Sequence, residues 1–152
     1  MAGLTIIDTS VFIIDLRYKR DKNFATNRAF LNHVAQDRSG ATTIFNLLEI
    51  CGVLSFNLNQ KQLQELFFHF AKHYQVDVLP HLDFESLLPA LKVGDLFEII
   101  ARKVSFGDAL IIAAMEKCVS GAASFVSWNA QHFTDRLSIP SLTPREFLEK
   151  RS

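Results

Sequence analysis

The chain has 152 residues, 49% of them hydrophobic, with only four prolines and six glycines. This length and composition are sufficient for one buried core, but the chain is too short for two stable domains. We therefore expect a single domain over residues 1–152. Sixteen Lys and Arg residues balance sixteen Asp and Glu residues, which excludes a binding mode that depends on bulk positive charge. Any contact with nucleic acid must therefore be local.

The sequence carries no pattern typical of export or membrane insertion. The longest apolar run, at 109–115, is far too short to cross a bilayer, and the N-terminus lacks a basic region and a small-residue cleavage site. Cys51 and Cys118 have neither paired spacing nor a neighbouring His that would suggest zinc. We therefore expect a cytoplasmic protein with no membrane contact and with reduced, buried cysteines.

The first half of the chain alternates short apolar runs with segments of helical spacing. Leu4–Ile7 is strand-like and is followed by Asp8, Thr9 and Ser10, a polar group that can cap a helix. Asn59 is a further N-cap candidate. In chain order these patterns predict a strand at 4–7, a helix from about 11, a helix at 23–36, a strand at 41–44, helices at 45–56 and 60–74, and a strand at 76–79.

The second half contains two capping boxes, in which a Ser or Thr precedes an acid by three positions. Ser105 and Asp108 open a nearly all-apolar helix that must be buried, and Thr143 and Glu146 open a terminal helix with Pro144 at its first position. The patterns predict, in chain order, a helical region at 83–103 that Pro89 and Gly94 bend or divide, a helix from 106, strands at 123–127 and 139–142, and a helix at 144–150.

Strands that alternate with helices are typical of an α/β domain with a mostly parallel sheet and helices on both faces. We therefore predict a three-layer α/β/α domain with four to five strands. In such sheets the functional site lies at the carboxyl ends of the strands. Asp8 directly follows the first predicted strand, so this rule makes it the first candidate site residue.

Four polar side chains fall where a cleft at the strand ends would collect them: Asp8, Glu49, Asp108 and Asn129. Each also has a purely structural explanation, as an N-cap, an exposed helical position, a capping-box partner or a turn residue, respectively. Glu49 and Asp108, however, belong to strongly apolar helices, and buried carboxylates are unfavourable unless they are paired. If the three acids converge, a divalent cation would remove their mutual repulsion.

Oxygen ligands without His or Cys suit Mg²⁺ or Mn²⁺ rather than zinc. Such a cation lowers the pKa of water and stabilises charge on a phosphate, so the site suits attack of water on a phosphodiester. Asp8, Glu49 and Asp108 would hold the cation. Asn129 would add a neutral ligand or orient a water molecule.

Five segments together form a recognisable combination: IIDTSV at 6–11, LLE at 47–49, SFGDALIIAA at 105–114, SWNAQHF at 127–133 and TPREFL at 143–148. In order and spacing they resemble the PIN-domain family, especially the VapC-type toxins of prokaryotic toxin–antitoxin modules. The resemblance covers nearly the whole chain. It implies a metal-dependent endoribonuclease, usually a homodimer and often silenced by a small cognate antitoxin.

By this resemblance Asp8, Glu49 and Asp108 are the acidic metal-site residues, and Ser10 and Ser127 supply hydroxyls near the site. The family commonly has a fourth acid where this chain has Asn129. The loss of one carboxylate removes a ligand for a second ion, so we expect one tightly held cation rather than two.

Arg17, Lys19 and Arg20 form a local basic run that could guide an RNA backbone, although a solvated surface patch has the same composition. Cleavage of RNA by water is the leading hypothesis. An alternative is a catalytically weak PIN-like scaffold that binds RNA or a protein partner, which Asn129 and the neutral net charge favour.

The same residues bear on two further classes of protein. A DNA-directed nuclease stays open, because a carboxylate–metal site does not itself read the 2′-hydroxyl. A phospho-receiver domain is disfavoured, because Asp8 lacks an acidic neighbour after the first strand and no matching Lys follows the fourth.

Overall fold

The computed structural model describes residues 3–151. The strands in this part of the chain are β1 (Leu4–Ile7), β2 (Gly40–Thr43), β3 (Asp77–Leu79), β4 (Ala122–Val126) and β5 (Ser141–Leu142). The α-helices are α1 (Thr9–Arg17), α2 (Phe24–Asp37), α3 (Ile44–Leu54), α4 (Gln60–Tyr74), α5 (Val93–Ile100), α6 (Phe106–Cys118) and α7 (Pro144–Arg151). Within residues 3–151, none of these helices has both the length and the apolar character needed to cross a membrane.

The five strands form one sheet in the order β3-β2-β1-β4-β5, and all neighbouring strands are parallel. β1 lies at the centre, with Ile6 opposite Ala41 on one side and opposite Phe125 on the other. Parallel alignment brings the carboxyl ends of all strands to one edge of the sheet. The prediction of an α/β domain with a mostly parallel sheet of four to five strands is confirmed.

β1 separates two apolar layers. Ile7 is fully buried in a core that also contains side chains of α1, α2, α3, α4 and α7, whereas Ile6 is fully buried in a second core with side chains of α5 and α6. This division follows from the two-residue period of a strand, which sends successive side chains to opposite faces. Helices therefore cover both faces of the sheet, and the predicted three-layer α/β/α arrangement is confirmed.

The predicted caps account for several helix starts. The Asn59 side chain accepts a hydrogen bond from the Gln62 backbone N–H at 2.8 Å and Gln62 returns one, while the box that opens α7 is also complete. At α6, the Ser105 hydroxyl accepts from the Asp108 backbone N–H at 3.2 Å. Among the described residues, the Asp108 carboxylate returns no hydrogen bond to this cap, so it is left for other interactions.

The helical prediction for residues 83–103 is wrong over its first half. Residues 83–92 form a turn and an irregular segment, and only Val93–Ile100 is helical. The Asp83 carboxylate accepts hydrogen bonds from the Glu85 backbone N–H and the Ser86 hydroxyl, both at 3.0 Å, and so closes a local turn. Pro89 also lacks the N–H that a helix interior requires.

Candidate active site

Asp8 lies directly after β1, at the carboxyl edge of the sheet, and is only 5% exposed. It occupies the N-cap position of α1, but in the described structure its side chain makes no capping hydrogen bond. Its Oδ2 instead accepts from the Ser127 hydroxyl at 2.7 Å, and its Oδ1 accepts from the Asn46 amide at 3.3 Å. The capping explanation for this acid therefore does not hold.

Ser127 connects the end of β4 to this carboxylate. Its fully buried hydroxyl donates to Asp8 and accepts from the Asn129 backbone N–H at 2.9 Å. The Ser10 hydroxyl lies 3.4 Å from it and accepts from the Trp128 backbone N–H at 3.1 Å. Ser10 and Ser127, which the sequence suggested as hydroxyls near the site, thus belong to the hydrogen-bond network of Asp8.

Glu49 and Asp108 approach the same region from two helices. Glu49 is exposed on α3, and Asp108 is half-buried in the first turn of α6. A β-carbon built on Gly107 would lie 3.8 Å from Glu49 Oε2, so the Glu49 carboxylate lies beside the start of α6. The expectation that the apolar setting of α3 buries Glu49 is wrong, because Glu49 lies on the exposed face of that helix.

The pKa of Asp8 is raised from 3.8 to about 6. Burial is the largest cause, and the negative charges of Glu49 and Asp108 raise the pKa further. The hydrogen bonds from Ser127 and from the Thr9 backbone act in the opposite direction. Glu49 and Asp108 are therefore close enough to Asp8 to disfavour its ionised form.

The donor chemistry of this site fits a hard divalent cation. Among residues 3–151, no Lys, Arg or His forms an ion pair with Asp8, Glu49 or Asp108. The described side chains also contain no ready-made cluster of three His, Cys, Asp or Glu ligands. Mg²⁺ does not need such a cage, because it retains several waters and is commonly bound through one or two carboxylates.

Asn129 lies at the N-cap of a short 3₁₀ turn, Ala130–His132, and is exposed. Its backbone N–H joins it to Ser127, and hence to Asp8. Trp128 is half-buried against the core, and its indole N–H donates to the buried Asn27 side chain at 2.7 Å. Trp128 is therefore a packing residue.

The basic run lies away from the acids. α1 begins next to Asp8 and ends at Arg17, so the Arg17 backbone lies about 12 Å along the helix axis from the first residue of α1, and Lys19 and Arg20 follow in the turn beyond it. Lys19 and Arg20 are exposed, and Arg17 donates a hydrogen bond to the Asn57 side chain. Only an extended substrate could contact both Asp8 and this run.

The sequence interpretation missed Asn46, which contacts Asp8 directly. Asn46 is fully buried and also forms a complete capping box with Thr43 at the start of α3. The signal available in the sequence was Thr-x-x-Asn at the end of a predicted strand, a variant of the usual Ser/Thr-x-x-Glu/Gln box. The contact with Asp8 spans 38 positions and has no local signature.

These features define a class of protein: a parallel α/β domain with a buried acid at the carboxyl edge of its central strand and two further acids nearby. The family model described as PIN domain matches residues 5–121, so the chain belongs to the PIN-domain family. No curated protein sequence matches the chain significantly.

Two solved structures share the fold. The crystal structure of VapBC2 from Rickettsia felis, bound to a DNA fragment from their promoter, contains a chain with 17% identity and a TM-score of 0.55, covering 92% of this chain and 96% of that one. The structure of FitAB bound to an IR36 DNA fragment contains a chain with 13% identity and a TM-score of 0.55, covering 93% and 95%. At these identities the similarity concerns the fold alone.

Proposed function

We propose that this protein is a Mg²⁺- or Mn²⁺-dependent endoribonuclease. The observation that carries the proposal is Asp8, a buried acid that lies near two other acids and has no Lys, Arg or His in ion-pair contact among residues 3–151. A divalent cation there would neutralise a repulsion that the fold otherwise retains. Membership in the PIN-domain family, whose members are generally nucleases, points to the same chemistry.

In this proposal Asp8, Glu49 and Asp108 hold the cation directly or through water, and Asn129 contributes a neutral amide at the edge of the site. When bound, the cation supplies charge stabilisation at the phosphate and makes water a better nucleophile. Ser127 holds Asp8 through its hydroxyl, and Ser10 supports Ser127 from the first turn of α1. Because one acid is replaced by Asn129, we propose a single firmly held cation.

The direct test is cleavage of single-stranded RNA by Asp8→Asn and Asp108→Asn variants in Mg²⁺ or Mn²⁺. Each substitution removes a negatively charged ligand, so we expect cleavage to fall by at least about a hundredfold while the protein stays folded. Asp95→Asn, an exposed acid on α5, is the matched control and should cleave normally. Undiminished cleavage by the folded Asp8 variant, or cleavage that persists in EDTA, would refute the proposal.

We further propose that the chain acts as the toxin of a toxin–antitoxin module, with a cognate antitoxin and a second copy of itself as partners and a cytoplasmic location. Exposed apolar side chains support a protein partner: Val93, Phe97 and Ile100 lie at helical spacing along one face of α5, and Phe97 is 69% exposed. Contiguous exposed apolar surface is typical of interaction sites. Residues 1–152 would act as one domain.

The alternative is a PIN scaffold with little catalysis, and the exposed amide of Asn129 in place of an acid favours it. Calorimetric titration of the metal-free protein with Mn²⁺ separates the two functions. RNA binding that persists in EDTA, together with no binding of Mn²⁺ that depends on Asp8, would favour the scaffold.

A further inference from the structure

Asn46 connects the carboxylate of Asp8 to the start of α3. Its buried amide has a partner in all four hydrogen-bonding directions. Its Oδ1 accepts from the Thr43 backbone N–H at 3.2 Å and from the Thr43 hydroxyl at 2.7 Å. Its Nδ2 donates to the Thr9 hydroxyl at 3.0 Å and to Asp8 Oδ1 at 3.3 Å.

These partners fix the orientation of the Asn46 amide. A flipped amide would place its NH₂ group against the Thr43 backbone N–H and its oxygen against the Asp8 carboxylate. Both contacts would then be repulsive, in a site without bulk water to relieve them. The N–H groups of Asn46 therefore face Asp8 and the first turn of α1.

Asp8 is consequently held by neutral donors on both of its oxygens. Ser127 donates to Oδ2 from the end of β4, and Asn46 donates to Oδ1 from α3. Two donors from different elements restrict rotation of the carboxylate. Each oxygen can accept more than one contact, so both retain capacity for a cation.

Asn46 also connects Asp8 to Glu49, because Asn46 and Glu49 both belong to α3. Asn46 and Glu49 are three positions apart, a spacing that places their side chains on neighbouring parts of the helix surface. The capping box between Thr43 and Asn46 sets the first turn of the same helix. One side chain thus fixes both the Asp8 carboxylate and the start of the helix that carries Glu49.

We propose that Asn46 is a positioning residue for the cation site, which keeps Asp8 and Glu49 in one arrangement. The inference rests on the proposed function, because it needs a cation at Asp8, but it does not require that the substrate be RNA. Loss of a group that orients a metal ligand typically weakens metal affinity by about 10- to 100-fold.

The test is calorimetric titration of metal-free protein with Mn²⁺, comparing Asn46→Ser with Asn27→Ser. The Asn46 variant loses the donor to Asp8, and we expect its dissociation constant for Mn²⁺ to rise at least about tenfold. Asn27 is as fully buried as Asn46, but its side chain donates to the Val11 carbonyl and accepts from the Trp128 indole instead of contacting Asp8, so we expect Asn27→Ser to leave the dissociation constant nearly unchanged. Equal weakening in both variants, or normal affinity in a folded Asn46 variant, would overturn the proposal.

A measurement on the unaltered protein covers the case in which Asn46→Ser does not fold. The side-chain amide resonances of Asn46 should move when Mg²⁺ is added, whereas those of Asn32, an exposed residue of α2, should not. If Mg²⁺ binds and the Asn46 resonances stay in place, Asn46 does not position the site. Mn²⁺ binding that depends on Asn46, without RNA cleavage, would overturn the proposed function and leave this inference standing.

Discussion

Asp8 is an acid whose ionised form is disfavoured in the folded protein, because burial, and then the charges of Glu49 and Asp108, raise its pKa from 3.8 to about 6. Between pH 3.8 and about pH 6 the folded state binds more protons than the unfolded chain. The free energy of unfolding therefore falls as pH rises from about 4 to about 6, and it stays reduced above that. At pH 8 the reduction is about 3 kcal/mol.

We therefore predict that Asp8→Asn stabilises the metal-free protein at neutral and alkaline pH. In EDTA the variant should exceed the original protein by about 2 to 3 kcal/mol near pH 8 and by little near pH 4, as measured by urea unfolding. The Ser127 hydroxyl can reverse its direction to accept from the new amide. Asp77→Asn, an exposed acid, should show no such pH-dependent gap. A variant that is less stable at pH 8 would contradict the prediction.

The acids and Asn46 differ in how far the sequence could reveal them. Asp8 was predictable because it follows a strand directly, and Asp108 because it completes a capping-box pattern before an apolar helix. For Glu49 the sequence left an exposed helical position open beside a buried one, because even a strongly apolar helix has an outer face. Asn46 was missed because its importance arises from a tertiary contact with Asp8.

Among the elements, the helices that cover one face of the sheet are joined by a polar contact inside their apolar packing. Asp15 of α1 accepts from Tyr74 of α4 at 2.6 Å and from Arg28 of α2 at 2.9 Å. Tyr74 is buried, and its ring packs edge-on against Phe12. This contact fixes three helices relative to one another, and with them the helix whose first turn follows Asp8.

We predict that Tyr74→Phe lowers the free energy of unfolding by about 2 kcal/mol, because a hydrogen bond to a charged group is lost while the ring packing is kept. Urea unfolding at neutral pH measures the change. Tyr18→Phe is the matched control, since Tyr18 is 48% exposed and should have an effect below about 0.5 kcal/mol. Equal effects of the two substitutions would show that the Asp15 contact adds no stability.

Element boundaries were predictable where a cap or a strand pattern was local, and failed where a proline interrupts a segment of helical composition. Asn59 predicted the start of α4, and the Ser105 cap predicted the start of α6. Residues 83–92 have helical composition, but Pro89 lacks the backbone N–H of a helix interior and disfavours the helical conformation of the residue before it. The turn that Asp83 closes with Glu85 and Ser86 therefore does not continue as a helix.

Over the whole molecule, the formal net charge of zero means that an RNA strand gains no general attraction to the protein. Affinity must come from the cation site and from local basic groups. Lys19 and Arg20 lie beyond the end of α1, whose last residue is about 12 Å along the helix axis from its first, whereas the Arg17 guanidinium is engaged with Asn57. A contact with this run therefore requires a substrate longer than the scissile dinucleotide.

We predict that replacing Lys19 and Arg20 by Ala weakens binding of a long single-stranded RNA and leaves cleavage of a dinucleotide unchanged. Each lost phosphate contact should reduce the slope of log affinity against log salt by about 0.7, so the double variant should differ by about 1.4. Binding is measured in Ca²⁺ or with the Asp8→Asn variant, so that the RNA stays intact. Lys61→Ala and Lys72→Ala, two exposed lysines of α4, together form the charge-matched control. An equal change of slope in both double variants would mean that RNA responds to total charge, and an unchanged slope in the first would remove Lys19 and Arg20 from the binding path.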